Sequence, residues 1–128
     1  MAKMTKEDKK LLIEELCARL PFGLKCFDTN AEEDFLLSDI SDTDSDYPTL
    51  NYGYTDIDSV RPYLRPESAM TKKERKEFEK LTVVLGAVDA GNQASLAVRF
   101  IYEHHIDWRG LIPKGLAYEA VKGMYKFE

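Results

Sequence analysis

Leu12, Leu16 and Leu20 recur every fourth residue, with Ile13 and Cys17 beside them, a spacing that predicts an amphipathic helix over residues 5–20. Thr5 and Asp8 stand at the positions of a capping box, with Asp in place of the usual Glu or Gln. Pro21 stops this helix and Gly23 opens the turn after it. The pattern then changes. Residues 23–28, 34–40 and 49–54 are short runs rich in Phe, Tyr, Leu and Ile, separated by Asn, Asp, Ser and Pro, and they read as strands of an antiparallel meander. Pro62 and Pro66 bias Arg61 and Arg65 away from helix, so residues 56–70 read as an extended connector over the surface, with Tyr63 or Leu64 docked. Thr71 and Glu74 form a full capping box, starting a second helix that carries Phe78, Leu81, Val84 and Leu85. Gly86 and Gly91 frame a break. A third helix follows over about residues 92–105, packing through Leu96, Val98, Phe100, Ile101 and Tyr102. Asp107 is placed to cap a short helical turn over 108–112, which Pro113 and Gly115 end. Residues 116–127 read either as a last strand or as an irregular wrap.

The order helix, strands, helices predicts an α+β fold: a small antiparallel sheet of about three strands, packed against an N-terminal helix and two to three C-terminal helices. A fourth strand is open at the C-terminus. The 128 residues make one domain, in which the meander spans 23–54 and the helical part and tail span 71–128. That length buries enough surface to fold without a disulfide or metal. The first ten residues are too charged for a secretory signal and no run is long and apolar enough to span a membrane, so the expected location is a cytoplasm. Cys17 and Cys26 form no Cys-x-x-Cys or Cys/His cluster and read as two buried free thiols in a reducing compartment.

Net charge is −5, but it is unevenly distributed. Residues 28–58 hold ten acids and no Lys or Arg, whereas 1–27 hold six bases against four acids and 59–128 hold twelve against nine. An acidic hairpin carrying −10 thus lies between two slightly basic arms. Such a face speeds encounter with a basic partner and confers specificity. The same acids also serve simply to keep edge strands from pairing with other chains.

Three stretches resemble an uncharacterised family of small phage- and prophage-encoded proteins of gut bacteria. They are Ala18-Arg-Leu-Pro-Phe-Gly-Leu24, Val60-Arg-Pro-Tyr-Leu-Arg-Pro66 leading into Met70-Thr71, and Ile106-Asp-Trp-Arg-Gly-Leu-Ile-Pro-Lys-Gly-Leu-Ala117 with Gly123-Met-Tyr125. The resemblance implies a phage-type accessory protein acting in a bacterial host's cytoplasm. It carries no catalytic residues, and the acidic hairpin lies outside it.

Motifs for catalysis are missing. There is no Gly-x-Ser-x-Gly elbow, no Walker or Rossmann glycine spacing, and no base near either cysteine in sequence. Asp42, Asp44 and Asp46 have the spacing that begins a calcium loop, but Tyr47 and Gly53 occupy the positions that need Gly and Glu. His104, His105 and Asp107 lack a third histidine, and adjacent helical side chains diverge by about 100°. They read as protonated imidazoles complementing a helix C-terminus, followed by an Asp cap. No metal or cofactor is expected. Arg61, Tyr63 and Arg65, with Tyr52 and Tyr54, interleave cations and aromatics in the manner of a single-stranded nucleic-acid surface. The acidic balance argues against that use. Trp108 and Arg109 fit an interface anchor, although a Trp at a helix start more often packs inward.

The resulting expectation is a non-enzymatic protein-binding module that meets a basic host or phage partner through Asp39, Asp42, Asp44 and Asp46. The alternatives are a nucleic-acid binder through the Arg/Tyr surface, and an enzyme or small-molecule binder whose site is assembled from scattered residues.

Overall fold

The computed structural model describes residues 4–41, 49–50, 55–83 and 90–125, which build an α+β fold. Helix α1 (Lys6–Arg19) starts at the predicted capping box: Thr5 Oγ1 accepts from the Asp8 N–H at 3.0 Å and Asp8 Oδ2 from the Thr5 N–H at 3.3 Å. A 3-10 turn through Pro21 prolongs it, and Gly23, at φ +70°, ends it. Its buried face is Leu12, Glu15, Leu16 and Arg19, an i, i+3, i+4, i+7 set. This face is rotated from the expected stripe. Leu20 and Ile13 are only half-buried, and Cys17 is exposed, so of the two expected buried thiols only Cys26 is buried.

Two sheets replace the single meander. In the larger, strands β1 (Lys25–Asp28), β2 (Glu33–Leu36), β6 (Val60–Leu64) and β7 (Tyr118–Glu119) lie in the order β2-β1-β6-β7, with only the β6–β7 pair parallel. The smaller joins β3 (Ile40–Ser41), β4 (Thr49–Leu50) and β5 (Thr55–Asp56), all antiparallel. The predicted strand over 34–40 is therefore divided between two sheets.

The larger correction concerns the connector. Residues 60–64 do not run over the surface; they form an interior strand with Val60, Pro62 and Leu64 buried. Pro62 is compatible with this because of register. Thr29 N–H bonds the Ser59 carbonyl at 2.8 Å, and Phe27 pairs with Arg61, so hydrogen-bonded pairs fall at every second residue and Cys26↔Pro62 lies between them. The donor that proline lacks thus points away from β1. On the far side β7 begins only opposite Tyr63.

Where β1 and β6 part, Tyr125 joins them. Its hydroxyl oxygen accepts from the Lys25 N–H at 2.9 Å and lies 2.8 Å from the Tyr63 carbonyl, to which it donates. It thereby bridges the next pair of the ladder. Replacing Tyr125 with Phe strands a backbone donor and an acceptor, and is expected to lower stability by about 1–3 kcal/mol in urea denaturation. A loss below about 0.5 kcal/mol would mean that the hydroxyl is not a structural part of the sheet.

Helix α2 (Lys72–Val83) begins at the predicted capping box, with Glu74 N–H to Thr71 Oγ1 at 3.1 Å and Thr71 N–H to Glu74 Oε1 at 2.9 Å. Helix α3 (Ala90–Glu103) includes Gly91 in its first turn and stops two residues short of the expected end. His105 sits at φ +55°, its N–H bonding the Tyr102 carbonyl at 3.2 Å while the Ile106 N–H bonds the Ile101 carbonyl at 3.0 Å. That is a Schellman ending, with histidine at the left-handed position that glycine usually takes. The expected helical turn over 108–112 is absent. Asp107 instead caps a turn further on, its carboxylate accepting from the Leu111 N–H at 2.8 Å and the Ile112 N–H at 2.9 Å. The tail is both things predicted for it, the short strand β7 and an irregular wrap around it.

The core lies between α1 and the inner face of the sheet: Leu12, Leu16, Leu24, Cys26, Val60, Leu64, Leu111 and Leu116 are all buried. Among the described residues, no helix is long and apolar enough to cross a membrane.

Candidate functional site

The junction at residues 104–107, after α3, is clamped by two buried ion pairs. From α1, Arg19 Nη2 donates to Glu15 Oε1 at 3.0 Å and to the Ile106 carbonyl at 2.7 Å; Arg19 is 0 % exposed and Glu15 1 %. The guanidinium lies 5.1 Å from the Tyr102 ring centroid, and the Tyr102 hydroxyl donates to Glu15 Oε2 at 3.2 Å. From the end of β6, Arg65 makes a bidentate pair with Glu74, at 2.8 and 2.6 Å. Its other hydrogens reach the carbonyls of His104 and Ala69, both at 3.1 Å. Burial opposes ionisation of Glu74, but Arg65, the Thr71 N–H and His104 outweigh it, and its pKa is lowered.

His105 completes the junction. Its Nε2 donates to the Phe22 carbonyl at 3.0 Å and its ring stacks on Tyr125 at 4.1 Å. Burial, and then the nearby Arg19 charge, depress its pKa to about 4. It is therefore neutral at pH 7, against the protonated imidazole expected at a helix end. Perturbed groups of this kind often mark catalytic sites. Here Arg19 Nη2, both Arg65 amino nitrogens and His105 Nε2 are directed at carboxylates and backbone carbonyls that tie these chain segments together, while Arg19 Nε and Nη1 are buried without a hydrogen-bond partner. An open cleft of about 440 Å³ borders Arg65 and Tyr125 without claiming their hydrogen-bonding ends. Among the described residues, no group of three or more His, Cys, Asp or Glu could hold a metal ion.

The outer face of the larger sheet is different. Side chains alternate along each strand, and the registers Phe27↔Asp34, Phe27↔Arg61, Lys25↔Leu36 and Tyr63↔Tyr118 place all these residues on one face. The ring of Tyr118 lies 5.8 Å from Phe27 and 6.2 Å from Tyr63. Leu36 is 59 % exposed and Tyr118 39 %, on the two opposite edge strands of this face with β1 and β6 between them. Exposed acids lie along the β2 edge, Glu32, Glu33 and Asp34, whereas Asp58, before β6, pairs with Lys9 of α1 at 3.4 Å. Tyr63 donates to Asp34 Oδ1 at 2.6 Å; partial desolvation, then that hydrogen bond and charge, push its pKa up to about 12.

No family model, curated protein or solved structure matches the chain. Its candidate sites rest on its own geometry.

Of the acidic residues singled out from sequence, Asp39 is half-buried beside the Ser41 hydroxyl, at 3.4 Å. Asp42, Asp44 and Asp46 lie outside the described residues, as do Tyr52 and Tyr54 of the Arg/Tyr surface. The remaining three members of that surface do not act as one. Arg61 and Tyr63 share the outer face, but Arg61 donates to the carbonyls of Asp58 and Val60, and Arg65 is buried against Glu74. Trp108, expected to pack inward, is 41 % exposed. Sequence reasoning missed Phe27, Leu36 and Tyr118, which meet only through strand register. It also missed Glu15 and Arg19, whose one visible signal is their i+3 and i+7 spacing from Leu12.

Proposed function

We propose that the protein is a non-enzymatic binding module, a phage-type accessory protein that engages a basic protein partner through the outer face of its four-stranded sheet. The observation that carries this reading is the outer face itself, where Tyr118 packs on half-buried Phe27 and Tyr63, Leu36 is exposed at the opposite edge, and Glu32, Glu33 and Asp34 line the β2 edge beside Lys25 and Arg61. An apolar, aromatic centre with a charged rim is the composition of a protein interface, in which aromatic anchors supply most of the affinity and rim charges set on-rate and partner choice. The resemblance of three stretches to small phage-encoded proteins suggests a bacterial host or phage protein as partner.

The test is retention of a partner from host lysate at low and high salt, using the whole chain and a Tyr118→Ala, Leu36→Ser variant. Expected is salt-sensitive retention, weakened on the order of tenfold in the variant while its melting temperature is preserved. Equal retention at high salt, or by the variant, would overturn the reading. Retardation of a single-stranded oligonucleotide at low salt would favour the nucleic-acid alternative through Arg61 and Tyr63 instead.

A further inference from the structure

Helix α2 presents a basic face that has no partner among the described residues. Successive side chains on a helix turn by about 100°, which places Lys72, Lys73, Lys76 and Lys80 within an arc of about 100°, with Glu77 and Glu79 outside it on either side. All four lysines are exposed, and none makes an ion pair or hydrogen bond among the described residues. The opposite side of the helix faces inward, with Glu74 buried, Phe78 and Leu81 half-buried, and Phe78 lying 5.8 Å from Phe100 of α3. Local chemistry opposes the lysine arc. Lys72, Lys76 and Lys80 are like charges at i, i+4 spacing, and Lys72 and Lys73 stand in the first turn, where the helix dipole disfavours cations. The carboxylate of that turn, Glu74, is taken up by Arg65. Neither the helix nor the core gains from this arrangement.

A surface of opposite charge lies elsewhere on the same chain. Glu32, Glu33 and Asp34 are consecutive exposed carboxylates at the edge strand β2. The hydrogen bond that Asp34 accepts comes from a neutral group, the Tyr63 hydroxyl. The cations on the neighbouring strands are directed at carbonyls rather than at these acids, Lys25 at Met124, and Arg61 at Asp58 and Val60. Among the described residues no ion pair joins the β2 edge to α2, so one copy does not satisfy both faces. A second copy supplies both signs. A nucleic acid fits less well, because residues 28–58 hold ten acids and no Lys or Arg, and their field repels a polyanion.

We propose that the lysine face of α2 docks on the β2-edge carboxylates of a second copy of this chain. The two faces are different patches, so the contact is head-to-tail: a copy that places its lysines on one neighbour still offers its carboxylates to another. Charge complementarity makes such a contact selective and sensitive to salt. It shares Glu32, Glu33 and Asp34 with the sheet-face reading and uses none of the aromatic residues of that face, so the two fail separately.

Sedimentation equilibrium of the whole chain tests this. Expected is an average mass that rises with protein concentration at about 0.02 M salt and returns to that of the monomer at about 0.5 M, where charges are screened within about 4 Å. The triple variant Lys72→Gln, Lys76→Gln, Lys80→Gln should associate at least about tenfold more weakly, and so should Glu32→Lys, Glu33→Lys, both with unchanged circular dichroism. Mixed in equal amounts at low salt, these two variants should form a one-to-one complex and nothing larger, because each retains the face the other lacks. The Tyr118→Ala, Leu36→Ser variant should associate as the unaltered chain does. A monomer at every concentration at low salt, a mass that persists at high salt, a mixture that does not associate, or loss of association in Tyr118→Ala, Leu36→Ser would overturn the proposal. Retardation of a single-stranded oligonucleotide that the lysine variant abolishes would overturn it as well, assigning the α2 face to nucleic acid.

Discussion

Glu15→Gln is expected to destabilise the protein by about 3–5 kcal/mol, a drop in melting temperature on the order of 10 °C. The size of the effect comes from what is left behind. Arg19 is completely buried and Glu15 is the carboxylate hydrogen-bonded to it, so removing that charge leaves a guanidinium in the interior with the Ile106 carbonyl and the Tyr102 ring as its nearest compensation. The Tyr102 hydroxyl also loses its carboxylate acceptor. Removing both charges is the informative comparison. Glu15→Met combined with Arg19→Met deletes the pair together and leaves chiefly the Ile106 carbonyl without its donor, a cost of about 1–3 kcal/mol. The double variant should therefore be more stable than Glu15→Gln alone, and the coupling energy in a double-mutant cycle should be favourable. Urea denaturation of the wild type, Glu15→Met, Arg19→Met and the double variant, with Glu15→Gln beside them, decides it. Additive losses, or a single loss below about 1 kcal/mol, would show that the pair is not the structural clamp described above.

A second large effect is expected on acidification. His105 titrates at about 4 in the folded protein against 6.5 ordinarily. Between those values the unfolded chain binds a proton that the folded one does not, so the contribution is fully present above pH 6.5 and is lost as pH falls towards 4. Its full size is about 3 kcal/mol. The groups facing the imidazole reinforce the effect, because Arg19, Arg65 and His104 all disfavour a further positive charge there. Glu74 has a lowered pKa, so its contribution is present above its ordinary 4.5 and is lost below it. The loss between pH 6.5 and 4.5 therefore belongs mainly to His105. His105→Asn, which keeps a side chain tolerant of the left-handed conformation, should flatten stability over that range. An unchanged slope would place the acid sensitivity elsewhere.

The local features of this chain were legible because local chemistry sets them. Thr5 with Asp8, and Thr71 with Glu74, start their helices as capping boxes whatever lies around them, since each box satisfies backbone donors within one turn. Leu12 and Leu16 enter the core because a helix stripe needs a partner. The misreadings share another origin. Pro62 and Pro66 read as part of a surface connector because each biases the residue before it away from helix, which does not tell an exposed extended run from a paired strand. Only the register against β1 shows that the donor Pro62 lacks faces away from the ladder. His105 looked helical because its neighbours were, and nothing in its identity announces a left-handed residue.

The candidate sites were less legible still. Arg65 has the same appearance in sequence as Arg61, yet one is buried against Glu74 and the other remains on the outer face of the sheet. Trp108 is exposed because Tyr102 and the α1 carboxylates hold the segment that carries it.

By itself, then, the sequence determined the helix starts, the α+β class and the segregation of negative charge into residues 28–58. Those depend on residues close together in the chain and on simple alternation. Tertiary structure alone decided which charges are buried, which aromatic residues share a face, and that a tyrosine a hundred residues from Lys25 bridges the end of the sheet. Each of these is a contact between distant segments, and its energy depends on burial and register that no local pattern records.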